Sequence, residues 1–209
     1  MSETYRAIQL QRFADSFRAG AEIVKLPLTA TGPGEVVVRN RYAGVNGIFD
    51  TQIARNAVDY VSIALPTLTG VEAIGTVEAV GSDVTDLRPG DDVVTVRFPG
   101  GYRHYNIAPA SHFVKVQSDA PEWLALASTG VSAAVALGVI GEAKPGETVA
   151  ISAAAGGLGH ILVQLAALRG CHVVAVCGGP DKGDFVRSLG AARVIDYRSE
   201  SVGDVLAAD

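Results

Sequence analysis

A run of small residues between positions 152 and 160 contains three glycines in the order Gly-Gly-Leu-Gly. The apolar segment 148–151 precedes this run, and the amphipathic segment 161–168 follows it. A strand that turns on glycines into the first turn of a helix presents backbone N–H groups, and the missing side chains let a pyrophosphate approach them. Plain tight turns also use glycines, so the flanking strand and helix carry the argument. The predicted phosphate-binding residues are Ala155, Gly156, Gly157, Leu158 and Gly159.

The end of the next apolar segment, residues 172–177, indicates which dinucleotide would bind. A domain that prefers NAD places an Asp or Glu at the end of its second strand, where the carboxylate binds the ribose hydroxyls. Here two glycines and a proline follow the segment, and the first acid is Asp181. Because an acid at the strand end would repel a 2′-phosphate, its absence leaves room for NADP(H).

The composition predicts a soluble, cytoplasmic enzyme. The 209 residues suffice for one large domain or two small ones, 19% of them are charged, and the net charge is −5. These values indicate neither a nucleic-acid footprint nor a basic membrane face. No uninterrupted apolar run is expected to span a bilayer, and the N-terminus lacks the pattern of a signal peptide. The only cysteines, Cys171 and Cys177, lie in or beside an apolar segment, which excludes a disulfide framework and suits a reducing compartment.

The pattern of apolar and turn residues divides the chain into two regions, residues 1–120 and residues 121–209. The first region is β-rich, because short alternating apolar runs are separated by turn residues at the spacing expected of a barrel. These runs predict strands at 35–42, 72–80 and 92–96.

The second region begins with a helix and continues with alternating strands and helices. Pro121 predicts the first turn of a helix that runs to Ile140, and Asp119 is its expected cap. The segments beyond residues 144–147 predict the order β-α-β-α-β, which is the adenosine-binding half of a Rossmann domain. The sequence ends at 205–209 in the predicted helix after the third strand, so the half that would seat nicotinamide is not encoded. Either the sequence is a fragment of a longer protein or another chain completes it, and the residues do not decide between these.

These landmarks together resemble the medium-chain dehydrogenase/reductase superfamily, in its zinc-free quinone-oxidoreductase-like branch. Within that branch the chain is similar to the 15-oxoprostaglandin reductases, which reduce the double bond of an enone. The resemblance implies a GroES-like barrel domain followed by a Rossmann domain of which only the first half is present. The segments that carry it, in the family's order, are Gly44–Asn46, Gly70–Gly75, Arg88–Asp91, Thr129–Ala133, Ala153–Gly159, Asp181–Lys182 and Asp196–Tyr197.

The resemblance assigns several residues to the coenzyme. It implies that Lys182 pairs with the 2′-phosphate of NADP(H) and that the Tyr197 hydroxyl donates to the same group. In isolation these would be an ordinary surface lysine and a half-buried strand residue. Thr129 and Ser132 resemble a segment that lines the coenzyme cleft, although helix packing of small residues would also explain them. Gly178 replaces a serine that is common in the family, which leaves a backbone N–H for the phosphate.

The reacting end of the site offers fewer candidates. The resemblance implies that Asn46 lies near the nicotinamide, where its amide would orient substrate or water, although an Asn after Gly-Val is also a good turn former. Tyr102 or His104 could protonate the enolate, but both are expected on a strand surface. Zinc has no expected ligand set, because Asn46 and Val71 replace the family's ligands and no cysteine precedes Cys171. Without a metal to polarise a carbonyl, conjugate hydride addition is favoured over alcohol oxidation.

The sequence therefore predicts an NADP(H)-dependent oxidoreductase that transfers hydride from NADPH to an α,β-unsaturated ketone or a quinone, and that is inactive or impaired as this truncated chain. The alternative is a non-catalytic nucleotide-binding fragment, or a subunit that a partner chain completes. The residues do not identify the small-molecule acceptor, and neither nucleic acid nor a membrane is an expected partner. Since the fourth strand is missing, segment 148–153 is expected to be an exposed sheet edge through which the chain self-associates.

Overall fold

The computed structural model describes residues 4–208. The chain divides into two compact units, Met1–Ala127 and Ser128–Asp209. The division falls inside the helical stretch Glu122–Ile140, whereas the sequence placed it just before that stretch. Each unit has its own hydrophobic clusters.

The first unit is built from antiparallel strands in two sheets. Its strands in chain order are β1 (Thr4–Leu10), β2 (Ala21–Pro27), β3 (Glu35–Gly44), β4 (Thr67–Leu68), β5 (Glu72–Val80), β6 (Asp92–Thr95), β7 (Tyr105–Pro109) and β8 (Val114–Lys115). One sheet has the order β2-β1-β4 and the other the order β7-β3-β5-β6-β8. The strands predicted from alternation are present as β3, β5 and β6, with small changes at their ends.

Valine alternation explains the core of the larger sheet. Val36 and Val38 of β3 point to the same face, because successive side chains of a strand point to opposite faces. They are fully buried with Val77 of β5 and Val93 of β6. Two short helices, α1 (Phe17–Gly20) and α2 (Gly47–Ala54), and the 3₁₀ turn Ala110–His112 connect the strands.

A continuous helical stretch, Glu122–Ile140, spans the boundary between the two units. It consists of α3 (Glu122–Ala125), the π turn Leu126–Gly130, α4 (Val131–Val135) and the π turn Ala136–Ile140. Pro121 directly precedes its first turn, as predicted. The expected cap is wrong: the Asp119 carboxylate forms an ion pair with Arg41 at 2.8 Å, and no side chain caps the helix.

The same stretch corrects the expectation that no segment could span a bilayer. Within residues 4–208, Glu122–Ile140 has the length and apolar composition of a membrane span, and 22% of the window is buried. Core helices of soluble proteins pass the same test, so this single stretch is weak evidence for a membrane.

Three parallel strands form the sheet of the second unit, in the order β11-β10-β9. The strands are β9 (Thr148–Ile151), β10 (His172–Cys177) and β11 (Arg193–Asp196), and the helices are α5 (Gly159–Leu168), α6 (Pro180–Ser188) and α7 (Val202–Ala208). Parallel strands joined by helices are the predicted first half of a Rossmann domain, and the structure confirms it.

The two faces of this sheet are covered to different extents. On one face, α5 and α6 bury Val163 and Val186 completely against β9 and β10. On the other face, α7 packs against β10 and β11. Thr148 and Ala150 of β9 are exposed on that second face. Strand β9 is therefore an edge of the described sheet with one uncovered face.

We expect the 209-residue chain to self-associate through β9. Its sequence, Thr-Val-Ala-Ile, carries neither the charge nor the proline that normally discourages pairing at an edge. Ala150→Lys adds a charge to the exposed face without entering the core, and it is expected to make the chain monomeric. Ala192→Lys, at an exposed position outside this strand, is the matched control. The measurement is the mass by light scattering at tens of micromolar, and association that Ala150→Lys leaves unchanged would contradict the expectation.

Candidate functional site

The glycine run lies at the carboxyl end of β9, where backbone contacts determine its shape. Ala153 has φ 47°, in the left-handed region, and its carbonyl accepts a hydrogen bond from the Gly156 N–H at 2.8 Å. A Cβ at Gly159 would overlap the Ala153 oxygen and lie 2.7 Å from the Cα of Ala154. Only glycine at position 159 therefore lets α5 begin so close to the strand. Gly159 is itself buried, so its structural contribution is this close approach.

The start of α5 keeps N–H groups available for an anion. Leu158 is the N-cap residue, and no side chain caps the helix. The first N–H groups of a helix have no acceptor within it, and the helix dipole favours negative charge there. Gly156, Gly157 and Leu158 are exposed, Ala155 is half-buried, and a Cβ at Gly157 would meet nothing within 4 Å. This loop can therefore take a phosphate group against its backbone.

His160 holds the loop through two hydrogen bonds to one carbonyl, a role that the sequence analysis did not predict. Its Nδ1 lies 2.8 Å from the Gly156 carbonyl oxygen, and the backbone N–H of His160 also donates to that oxygen at 3.0 Å. Because a carbonyl only accepts, the Nδ1 atom carries the proton in this arrangement. The ring centroid also lies 6.2 Å from that of Phe185, so His160 contacts the middle of α6 from the first turn of α5.

The turn after β10 is a second helix start without a side-chain cap. Gly179, at φ 89°, is the N-cap of α6, and Pro180 begins the helix. The Asp196 carboxylate at the end of β11 accepts a hydrogen bond from the Arg198 N–H at 3.0 Å. This hydrogen bond, together with the backbone N–H of Gly179, lowers the pKa of Asp196. The acid after the third strand thus holds these two turns together.

Gly178 lies where two side chains from the next turn cover it. A Cβ at this position would lie 2.6 Å from the Tyr197 hydroxyl oxygen and 3.0 Å from Nε of Arg198. A serine here would therefore require the exposed Tyr197 ring to shift. Lys182, Tyr197 and Arg198 are all exposed, so all three can reach a ligand above the turn.

Arg198 was missed by the sequence reading. Its Nη1 would lie 3.1 Å from a Cβ at Gly179, so the guanidinium covers the start of α6. The signal was a cation directly after Tyr197 at the end of a predicted strand. Such a position adjoins the nucleotide edge of a parallel sheet, because ligands bind beyond the carboxyl ends of the strands.

Thr129 and Ser132 lie on the helical stretch near the start of the second unit. Thr129 is half-buried in the π turn Leu126–Gly130, and Ser132 is exposed on α4. The Ser132 hydroxyl donates to the Ser128 carbonyl at 3.1 Å, which satisfies it within its own helix. Helix α4 packs against α5, and single π turns often occur at functional sites. The placement of Thr129 and Ser132 in a coenzyme cleft stays a prediction.

Asn46 lies in the first unit, at the start of α2. Its Oδ1 accepts a hydrogen bond from the Phe49 N–H at 3.2 Å, so the side chain caps the helix. Asn46 is exposed, and with Oδ1 committed to the cap its amide nitrogen is the end of the side chain that a ligand would meet. The capping role of Asn46 is therefore compatible with the prediction that its amide orients substrate or water.

Tyr102 does not lie on a strand surface, although the sequence analysis predicted that it would. It is half-buried, and its hydroxyl donates to Oδ2 of Asp50 at 2.5 Å. Burial and the Asp50 carboxyl raise the pKa of Tyr102 well above its usual value. Its proton is thus committed to Asp50, which makes Tyr102 a poor donor to an enolate. His104 is exposed, and its backbone N–H donates to the Arg6 carbonyl at 3.0 Å.

A metal centre has no ligand set in the part of the chain that the structure describes. Among residues 4–208, no group of three or more His, Cys, Asp or Glu side chains is placed to hold a metal ion. Zinc needs three or four convergent ligands of these types. The donor set present therefore does not fit zinc.

Two family models match the chain, one in each unit. The model described as "Alcohol dehydrogenase GroES-like domain" matches residues 32–118, and the model described as "Zinc-binding dehydrogenase" matches residues 157–208. The first match covers most strands of the first unit, and the second covers the glycine loop from Gly157 onward.

Relatives match over nearly the whole of this chain. Prostaglandin reductase-3 of Mus musculus is 32% identical over 97% of this chain, which spans 54% of the relative. A probable quinone oxidoreductase of Leishmania amazonensis is 34% identical over 95% of this chain, which spans 58% of it. The crystal structure of Escherichia coli quinone oxidoreductase with NADPH superposes with a TM-score of 0.84, at 26% identity, over 99% of this chain and 62% of that one. The chain thus spans about half the length of the curated relatives it matches.

The glycine loop predicts a sharp contrast between two alanine substitutions. Gly159→Ala would force a Cβ into the backbone of residues 153–154, and overpacking of this kind costs about 1–3 kcal/mol of stability. Gly157→Ala is the matched control, because its Cβ meets open space and is expected to change stability by less than about 0.5 kcal/mol. Urea unfolding of the two variants measures the difference. Equal stabilities would show that α5 does not depend on this close approach.

Proposed function

The chain belongs to the medium-chain dehydrogenase/reductase superfamily, in its quinone-oxidoreductase-like branch, and on that premise we propose that it binds NADP(H) and serves hydride transfer from NADPH to an α,β-unsaturated ketone or a quinone. The carrying observation is the pair of helix starts, α5 and α6, at the carboxyl ends of neighbouring parallel strands. Neither has a side-chain cap. Helix α5 offers N–H groups from its glycine-rich start, whereas α6 begins with Pro180 and offers the first-turn N–H groups of Asp181 and Lys182.

A preference for the 2′-phosphate is supported by the charges around the second helix start. The turn Gly178–Gly179 after β10 contains no acid, and the first acid beyond it is Asp181 in the first turn of α6. Asp196, the acid at the end of β11, is engaged by the backbone N–H groups of Arg198 and Gly179. Lys182 and Arg198 are exposed cations beside the same turn, and Tyr197 adds an exposed hydroxyl. Cations and hydroxyls together match a phosphate dianion better than a ribose diol. The complex of the E. coli relative with NADPH agrees with this choice.

The bound coenzyme would supply a hydride, and the chain's own residues would bind and orient. The first unit offers Asn46, whose amide N–H groups can donate to a carbonyl oxygen of the acceptor. Negative charge grows on that oxygen during conjugate addition, so a fixed donor there lowers the barrier. The names of the relatives, a prostaglandin reductase and a quinone oxidoreductase, support an enone or a quinone as the acceptor.

Zinc has no part in this proposal, since the described residues give it no ligand set. Two free cysteines, half-buried Cys171 and buried Cys177, fit a reducing compartment, and we place the protein in the cytoplasm. The acceptor would be polarised by hydrogen bonds alone.

A second function is favoured by the uncovered face of β9. The chain spans about half the length of its curated relatives, and the described sheet has three strands. A nucleotide-binding chain that performs no turnover by itself, or that a partner chain completes at β9, fits the same observations. Turnover by the 209-residue chain separates this alternative from the first.

Nucleotide binding to the 209-residue chain is expected to favour NADPH over NADH. Lys182→Ala removes one charge-assisted contact and should narrow the preference by about 1.5–3 kcal/mol. The matched control is Lys144→Ala, because Lys144 is exposed just before β9, at the opposite end of the strands. Fluorescence titration of both coenzymes provides the affinities. Equal affinities in the unsubstituted chain would refute the 2′-phosphate assignment.

Turnover is expected to depend on NADPH and to be indifferent to metal chelation. A small alkenone and a benzoquinone are the two acceptors to compare, with NADPH consumption as the readout and EDTA as the addition. The 209-residue chain should turn over far more slowly than about 1 per second, because it offers three strands of a dinucleotide-binding domain. Stoichiometric zinc, or activity that EDTA removes and zinc restores, would overturn the zinc-free mechanism. Rapid turnover would overturn the expected impairment.

A further inference from the structure

Asp50 and Tyr102 form a buried polar pair that hydride transfer does not require. They are 52 residues apart in the chain, and the Tyr102 hydroxyl donates to Asp50 Oδ2 at 2.5 Å. Asp50 is 7% exposed, in the first turn of α2. Burying a carboxyl group carries a desolvation cost, and an apolar pair of similar size would avoid it. Packing alone therefore does not account for this pair.

The same pair acts on the residue four positions before Asp50. The backbone N–H of Asp50 donates to the Asn46 carbonyl at 2.9 Å. The backbone N–H of Asn46 also lowers the pKa of the Asp50 carboxyl and of the Tyr102 hydroxyl. Asn46 Oδ1 is bound by the Phe49 N–H at 3.2 Å. The carbonyl and Oδ1 of Asn46 are thus both engaged, and the amide N–H₂ is the polar end of the side chain that can face a ligand.

Tyr102 is itself held from several sides. Its backbone N–H donates to the Thr69 carbonyl at 3.0 Å, and its ring meets the Phe17 ring edge-on at 6.0 Å. A Cβ at Gly70, which has φ 81°, would lie 2.7 Å from Cγ of Tyr102. The phenol therefore has little freedom to leave Asp50. Glu72 at the start of β5 also faces this pair and raises the pKa of Tyr102.

We propose that Asp50 and Tyr102 are positioning residues that hold the Asn46 turn, so that the Asn46 amide presents only N–H donors to the carbonyl oxygen of the acceptor. An unrestrained asparagine can offer either its oxygen or its nitrogen, and the oxygen would repel a developing oxyanion. The inference rests on the proposed function only in identifying the acceptor as a carbonyl compound. The orientation of Asn46 is a property of the first unit alone.

Amide NMR of the 209-residue chain tests the orientation without any coenzyme. The probe is 4-nitrophenolate, whose oxygen carries the charge of an enolate. It is expected to shift the side-chain N–H₂ resonance of Asn46 in the unsubstituted chain. Tyr102→Phe should weaken this binding by about tenfold, because an Asn46 amide that is no longer held in place loses its hydrogen bond to the charged oxygen of the probe. Tyr60→Phe is the matched control, because Tyr60 is 71% exposed in the same unit.

The pH dependence distinguishes positioning from mere packing. Burial raises the pKa of Asp50, and the Tyr102 hydrogen bond and the Asn46 N–H offset part of that rise. The ionised carboxyl is the stronger acceptor for the Tyr102 hydroxyl, so the Asn46 resonance should change as pH falls through this raised pKa. Tyr102→Phe removes one offset, so the change should move to higher pH. Asp50→Asn should abolish it.

The outcomes separate the inference from the proposed function. The inference is overturned by a folded Tyr102→Phe variant with the unsubstituted chain's Asn46 resonance, pH profile and phenolate affinity. It is also overturned if 4-nitrophenolate leaves the Asn46 amide of the unsubstituted chain unperturbed. Failure of the chain to bind NADPH, with the Asn46 results as expected, would instead count against the proposed function alone.

Discussion

The parallel pairing of β9 with β10 brings the first turns of α5 and α6 to the same end of one sheet. Parallel neighbours need a crossover, so each strand is followed by a helix whose N-terminus lies at the strand's carboxyl end. The close packing at Gly159 and the Asp196 contacts at the α6 turn keep these helix starts near the sheet. Because neither helix is capped by a side chain, a bound anion can accept hydrogen bonds from first-turn N–H groups that have no acceptor within the helix.

In the first unit, the Asn46 side chain caps the first turn of α2. The same turn contains Asp50, whose carboxylate accepts a hydrogen bond from the Tyr102 phenol, 52 residues further along the chain. Close backbone approach at Gly70 keeps that phenol in place. We propose that charge recognition depends on the helix ends and cations of the second unit, and that orientation of the acceptor depends on Asp50 and Tyr102 in the first unit.

Local patterns in the sequence were sufficient for three strands of the first unit and for the β-α-β-α-β order of the second, and long-range contacts were not visible in them. Residues 172–177 were predicted as a strand and form β10, because an apolar run between turn residues has few alternatives. Asp119 was expected to cap a helix but instead pairs with Arg41, a partner that no local pattern indicates. The pairing of Asp50 with Tyr102 was not predicted for the same reason. Arg198 was not predicted because its backbone turn, rather than its spacing, brings it over Gly178.

The central claim is that the second unit recognises a 2′-phosphate with its own residues. The most direct test is calorimetric titration of the 209-residue chain with 2′,5′-ADP and with 5′-AMP, which differ only in that phosphate. The account predicts tighter binding of 2′,5′-ADP, with an advantage that shrinks as salt screens the cations beside the α6 turn. Equal affinity for the two nucleotides, or an advantage that does not respond to salt, would contradict it.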